Sequence, residues 1–151
     1  MSASPEILAL AMRSLPHGPE FRFVDRMISL TPGQKGVGEY HIRGDEYYLR
    51  GHLPGEPILP GVLLVEAAAQ VAGMVAQDDP ANPRWPKLKL AALRAVKILG
   101  AVRPGQTLRI EAAITGQLDS LIQAQVSAFV ENAKVLSAEL SLSGNGQAEK
   151  K

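Results

Sequence analysis

The chain has 151 residues, of which 46% are apolar and 21% are charged, and this is enough to bury the core of one globular domain. Its net charge of +1 argues against broad electrostatic binding of nucleic acid or of a membrane surface. The absence of cysteine excludes disulfides, thiolate metal sites and a cysteine nucleophile. Because no basic segment followed by an apolar run opens the chain, we expect a cytoplasmic protein. We expect a single domain over residues 1–143 and a disordered polar tail over residues 144–151.

The N-terminal third predicts one helix and one hairpin. Ser4 is a capping residue followed by proline and an acidic residue, which predicts a short helix over Pro5–Arg13. The segments Phe21–Leu30 and Lys35–Ile42 have the character of strands, and the short Pro-Gly turn between them predicts an antiparallel hairpin. We expect Tyr47–Leu49 to be a brief extended piece.

Residues 51–61, GHLPGEPILPG, contain proline and glycine so often that they predict a loop without regular structure. The following segment, Val62–Gln77, is rich in alanine and leucine and lacks proline, which predicts a helix roughly 24 Å long. Its apolar residues lie all round the helix, as is typical of a helix buried in a core. The apolar run is interrupted and too short for a membrane span.

The C-terminal half predicts a series of strands. These are Leu88–Leu99, Thr107–Gln117, Leu121–Glu131 and Lys134–Ser143, and the short turns between the last three predict an antiparallel order. The fold class is therefore α+β, with a curved antiparallel sheet wrapped around the long central helix. One sheet covers only one side of a buried helix, so we expect a second copy to cover the other side, in a homodimer.

Glu66 and Gln70 are the unusual residues of the predicted central helix. They are four residues apart, so they lie on one face and can hydrogen-bond. A buried carboxyl group is costly unless it is protonated, paired or next to a polar cavity. Glu66 is therefore either a buried carboxyl group that Gln70 alone satisfies or part of a functional site.

The motifs Leu15-Pro16-His17, residues 51–61 and EAAAQ over residues 66–70, at their fixed spacing, resemble those of the (3R)-hydroxyacyl-[acyl-carrier-protein] dehydratases of type II fatty-acid synthesis. The resemblance runs from about Leu15 to Gly105. It implies the hotdog fold and a catalytic pair formed by His52 and Glu66, contributed by two different subunits. A glutamate at this position, where one branch of the family has aspartate, implies dehydration without isomerisation of the double bond.

The chemistry of dehydration fits those residues. Neutral His52 suits a base that removes the proton at C2, and apolar surroundings would favour a protonated Glu66 that acts as the acid at C3. The N–H of Gly61 opens the helix, where a developing oxyanion is stabilised, and Gln70 would orient Glu66. The predicted oxyanion- and substrate-binding set is Pro60, Gly61, Val62 and Gln70. The resemblance further implies acyl carrier protein as partner, a trimer of dimers as the larger assembly, and no metal or redox cofactor.

Two alternatives remain open at this point. The first is a hotdog thioesterase in which Glu66 activates water. The second is a non-catalytic acyl-binding paralogue, because residues 95–102 lack two basic residues and a phenylalanine that the family usually has there. We assign His17 a structural role and His41 none, and the sequence leaves acyl chain length, pathway and carrier preference open.

Overall fold

The computed structural model describes residues 3–52 and 55–144, with the backbone alone at residues 50–52. Its centre is one antiparallel sheet of six strands in the order β1-β2-β4-β5-β6-β3. The helices are α1 (Pro5–Arg13), α2 (Tyr47–His52) and α3 (Gly61–Val75). The strands are β1 (Arg26–Thr31), β2 (Lys35–His41), β3 (Lys89–Ile98), β4 (Thr107–Leu118), β5 (Leu121–Val130) and β6 (Ala133–Ser143). The α+β class predicted from the sequence is confirmed.

The first helix begins and ends at the predicted residues, and the Oγ of Ser4 accepts a hydrogen bond from the N–H of Ile7 at 3.3 Å. The hairpin of β1 and β2 is also confirmed. The predicted start of its first strand was wrong, because Pro19–Phe21 is a 3₁₀ helix and β1 begins only at Arg26. Between them, Phe23 donates its N–H to Gln70 of the central helix, whereas Asp25 donates its N–H to the carbonyl of Glu39 in β2.

The prediction of an extended piece at Tyr47–Leu49 was wrong, because these residues begin α2. The helix is stabilised by burial of Leu49, which is 4% exposed. It is also joined to β2 by a 2.5 Å hydrogen bond between the hydroxyls of Tyr48 and Tyr40. The prediction that the loop begins at Gly51 was therefore wrong, because Gly51 and His52 are still helical. Leu53 and Pro54 lie outside the described residues.

Helix α3 packs against β1, β2, β4, β5 and β6, and ten of its fifteen residues are buried. This agrees with the prediction of a buried helix over Val62–Gln77. The close approach to β2 depends on a strand glycine, since a Cβ at Gly36 would lie 2.9 Å from Cγ2 of Val75. Within residues 3–52 and 55–144, no helix is long and apolar enough to cross a membrane.

Strand β3 lies at an edge of the sheet and is exposed over its whole length. Ala95 has a φ of 52° at an irregularity in the pairing with β6, and this bends the strand. The large apolar side chains of β3 that are exposed are Leu90, Leu93, Val96 and Ile98. Leu99, which follows the strand, is exposed as well. An edge with free backbone groups and apolar side chains is a surface that another chain can cover.

At the C-terminal end, Gly144 donates its N–H to the carbonyl of Ser120 at 2.9 Å, so it is bound to the β4–β5 turn. The rest of the predicted tail, residues 145–151, lies outside the part of the chain that the structure describes.

Candidate active site

Gln70 is the residue that builds the site around Glu66. It lies one turn after Glu66 on α3, is 2% exposed, and donates from Nε2 to Oε2 of Glu66 at 3.0 Å. The same amide donates to the carbonyl of Phe21 at 2.8 Å and accepts from the N–H of Phe23 at 2.9 Å. A single side chain therefore orients the carboxyl group of Glu66 and binds residues 21–23 to the helix by two hydrogen bonds.

His17 approaches the same carboxyl group from the loop after α1. Its Nε2 lies 3.2 Å from Oε2 of Glu66, and its ring stacks on Phe21 with centroids 6.1 Å apart. Arg22 holds the loop by donating to the carbonyls of His17 and Leu15 at 2.7 and 3.1 Å. Sequence reasoning did not place His17 in the site, and its position in the Leu-Pro-His motif was the available signal.

The contact between His17 and Glu66 is suited to holding a proton. Either Nε2–H donates to the carboxylate, or a protonated carboxyl group donates to the bare nitrogen. Nδ1 of His17 is buried and has no hydrogen-bond partner among the described residues. Buried polar atoms are normally bonded, so Nδ1 is the one buried polar side-chain atom of the described residues that departs from this rule.

These three polar side chains line a cavity of about 280 Å³. Beyond His17, Glu66 and Gln70, most of the residues that line it are apolar. Its main apolar lining residues are Leu15, Phe21, Met74, Trp85, Leu88, Leu90 and Leu142. A cavity with one polar end and apolar walls suits a ligand with a reactive polar head and a hydrocarbon chain.

The other predicted binding residues lie at the start of α3. The carbonyl of Pro60 accepts hydrogen bonds from Leu63 and Leu64, and the N–H of Gly61 is among the first-turn donors that need no partner within the helix. Val62 is 78% exposed. None of the three predicted residues Pro60, Gly61 and Val62 is among the described residues that line the cavity. They lie roughly 7 Å before Glu66 along the helix axis.

His52 is the last residue of α2, and its side chain is outside what the structure describes. The pairing of His52 with Glu66 therefore stays a prediction.

The helix that ends at His52 is anchored by polar groups. Burial raises the pKa values of Tyr40 and Tyr48, so both hydroxyls stay protonated and keep their mutual hydrogen bond. Burial alone would raise the pKa of Glu46, but hydrogen bonds from the N–H groups of Arg43 and Gly44, at 2.8 and 2.7 Å, outweigh it and lower that pKa. Glu46 thus stays ionised and fixes the turn that enters α2.

The six-stranded antiparallel sheet packed around one buried helix defines a hotdog-fold protein. The FabA-like domain family matches residues 15–139. The chain is 38% identical over 141 residues to the 3-hydroxyacyl-[acyl-carrier-protein] dehydratase FabZ of Chloroflexus aggregans, covering 93% of this chain and 94% of the relative. It is 39% identical over 132 residues to the FabZ dehydratase of Geobacter metallireducens, covering 85% and 87%.

The chain therefore belongs to the FabZ-like hydroxyacyl-[acyl-carrier-protein] dehydratase family, and the predicted family is confirmed. The dehydratase heterocomplex ApeI:P from Xenorhabdus doucetiae has a similar structure, with a TM-score of 0.76 at 18% identity. That likeness covers 92% of this chain and 93% of the other. It confirms the predicted hotdog fold.

Proposed function

We propose that the protein dehydrates (3R)-3-hydroxyacyl thioesters, carried on acyl carrier protein, to trans-2-enoyl thioesters in fatty-acid or related lipid or polyketide biosynthesis. The observation that carries the proposal is the carboxyl group of Glu66, held by Gln70 and His17 at the polar end of an apolar cavity. The FabZ relatives favour dehydration over the thioesterase and over the non-catalytic acyl-binding protein.

The reaction needs a base, an acid and a site for negative charge. In our proposal His52 takes the proton from C2, and the electron pair of that C–H bond forms the C2=C3 double bond. The C3–O bond breaks as Glu66 donates a proton, so the hydroxyl leaves as water. The N–H of Gly61, flanked by Pro60 and Val62, stabilises the charge that develops on the thioester oxygen.

The contacts of Glu66 support its role as the acid. Gln70 and His17 both contact Oε2, so the carboxyl group has a fixed direction before substrate arrives. Fixed catalytic groups avoid the cost of orientation in the transition state. Gln70 and His17 are positioning residues in this proposal.

A second copy of the chain completes the site. Strand β3 lies at an edge of the sheet, and its exposed apolar side chains need cover. Pairing of β3 with β3 of a second copy across a twofold axis is antiparallel and self-complementary. We propose that this homodimer brings His52 of one subunit to Glu66 of the other, and that three dimers form the larger assembly. The expected cytoplasmic location stays a prediction.

The test measures turnover of 3-hydroxybutyryl and crotonyl thioesters, on acyl carrier protein and on coenzyme A, by enoyl absorbance. We expect His52→Ala and Glu66→Gln each to lower kcat/KM by roughly a hundredfold or more, because each removes one proton-transfer group. Matched controls are His41→Ala and Glu111→Gln, whose side chains contact Thr107 and Arg109 instead.

The outcomes separate the three functions. Turnover in the parent and in both controls, lost in both site variants that keep their circular dichroism, supports dehydration. Release of free thiol instead would identify a thioesterase. Binding of acyl thioesters without any turnover would identify the acyl-binding paralogue and refute the proposal.

A further inference from the structure

One face of α3 lines the cavity along most of its length. The lining residues of this helix are Glu66, Ala69, Gln70, Gly73 and Met74, and Gln77 lines the cavity just after the helix has ended at Val75. They recur every three or four positions or lie side by side, which places them on one face. Gly73 lies roughly 10 Å beyond Glu66 along the axis, and Gln77 follows the C-terminal end of the helix. The cavity therefore runs from the carboxyl group towards the C-terminal end of the helix.

Gln77 lies at that end and holds the following loop by hydrogen bonds to the backbone of Trp85. It is 3% exposed. Its Nε2 donates to the carbonyl of Trp85 at 2.8 Å, and its Oε1 accepts from the N–H of Trp85 at 2.9 Å. The same Nε2 also lies 3.3 Å from the carbonyl of Gly73. The amide is thus fully bonded, so it fixes the loop and offers no free polar group to a ligand.

The ring of Trp85 packs against Arg84 and against the backbone of Gly144. It is 4% exposed, and the guanidinium of Arg84 lies 4.7 Å from its centroid. At the end of β6, a Cβ on Gly144 would lie 2.8 Å from both Cε3 of Trp85 and Cδ2 of Leu88. Both side chains therefore pack closely against the backbone of Gly144.

We propose that Gln77, Trp85 and Leu88 form a fixed end wall of the cavity and restrict the enzyme to short- and medium-chain 3-hydroxyacyl groups. This inference rests on the proposed function, since it assumes that the acyl chain enters past Glu66. From Glu66 to Met74, the last residue of α3 that lines the cavity, the helix rises roughly 12 Å, and this limits the length of extended chain that fits in front of the wall. A longer chain would have to displace the clamped loop.

Gly73 sets the width of the cavity halfway along. A Cβ there would lie 3.9 Å from Cδ1 of Leu88, which is ordinary contact distance, so the branches of a leucine at this position would fill the space next to it. Conversely, truncation of Leu88 would extend the cavity. These two substitutions move the length limit in opposite directions.

The first experiment compares kcat/KM for 3-hydroxybutyryl, 3-hydroxydecanoyl and 3-hydroxyhexadecanoyl thioesters. The parent should prefer the decanoyl to the hexadecanoyl substrate at least tenfold, because a misfitting methylene costs about ten- to two-hundredfold in discrimination. Gly73→Leu should lower the decanoyl/butyryl ratio at least tenfold, and Leu88→Ala should raise the hexadecanoyl/decanoyl ratio. Ala81→Leu, on the exposed part of the same loop, is the matched control. Each ratio compares kcat/KM for two substrates of the same variant, so it does not depend on how much of that variant is folded.

The second experiment does not require turnover, because Trp85 is the single tryptophan of the chain. Decanoyl thioesters brominated near the thioester or at the chain end are titrated while tryptophan fluorescence is recorded. Quenching should be several-fold stronger with bromine at the chain end, and Gly73→Leu should abolish this difference.

These outcomes distinguish the two proposals. Equal quenching by both brominated ligands, or a parent that accepts all chain lengths equally, would overturn the end wall. Position-dependent quenching without turnover would uphold the end wall while the proposed dehydration failed.

Discussion

Replacement of Gln70 by methionine tests whether one amide holds the site together. Methionine has a similar shape but makes none of the three hydrogen bonds of Gln70. The N–H of Phe23 and the carbonyl of Phe21 would lose their partners inside the protein. Since an orphaned buried polar group costs about 1–3 kcal/mol, and the bond to Phe21 is only part-buried, we expect a loss of about 3 kcal/mol in the free energy of unfolding.

Urea denaturation at one fixed protein concentration measures this loss. With an m-value of about 1–3 kcal/mol/M, the midpoint should fall by roughly 1–3 M. Gln77→Met is the matched control for stability, because it removes the same kind of amide, bonded to the N–H and carbonyl of Trp85. Both variants should lose similar stability. Turnover of the butyryl substrate, measured well below the unfolding midpoint, should fall about tenfold or more in Gln70→Met, because Glu66 loses its fixed direction.

The reasoning would be refuted by either of two results. A loss below about 1 kcal/mol in Gln70→Met, next to a normal loss in Gln77→Met, would mean that residues 21–23 are held by other contacts. Full turnover in a destabilised Gln70→Met would mean that the amide supports the fold but does not position the carboxyl group.

Two further predictions concern the fold around the site. Backbone hydrogen bonds hold the pKa of Glu46 below the ordinary glutamate value of 4.5, so its contribution to stability is present above that pH and is lost as the pH falls. Glu46→Gln should therefore cost about 1–3 kcal/mol at neutral pH, and urea titrations should show this difference shrinking below about pH 4.5; a pH-independent difference would contradict it. Gly36→Ala should lower the free energy of unfolding by about 1–3 kcal/mol, because its Cβ would press on Val75. Gly116→Ala, whose nearest neighbour would be 3.5 Å away, is the control, and equal losses in both variants would argue against close packing of β2 on α3.

The sequence located most elements because their signals are local. Helix α3 lies within one or two residues of the predicted bounds. The segment rich in proline and glycine stops where the helix begins, and the helix itself is rich in alanine and leucine. The four C-terminal strands lie within one residue of their predicted bounds at every end, because short turns separate runs of strand-forming residues. The Glu66–Gln70 contact also follows from helical spacing alone.

Tertiary contacts decided the rest. Residues 21–25 have strand-like composition, yet the N–H of Phe23 bonds to Gln70, 47 positions away, and not to a neighbouring strand. Residues 47–52 fold as a helix because Leu49 and Tyr48 find partners in the core and on β2. His17 contacts Glu66 because the loop after α1 is held on α3 by the hydrogen bond from Gln70 to the carbonyl of Phe21. Local propensity could not predict these three features, because the energies that select them come from partners distant in the chain.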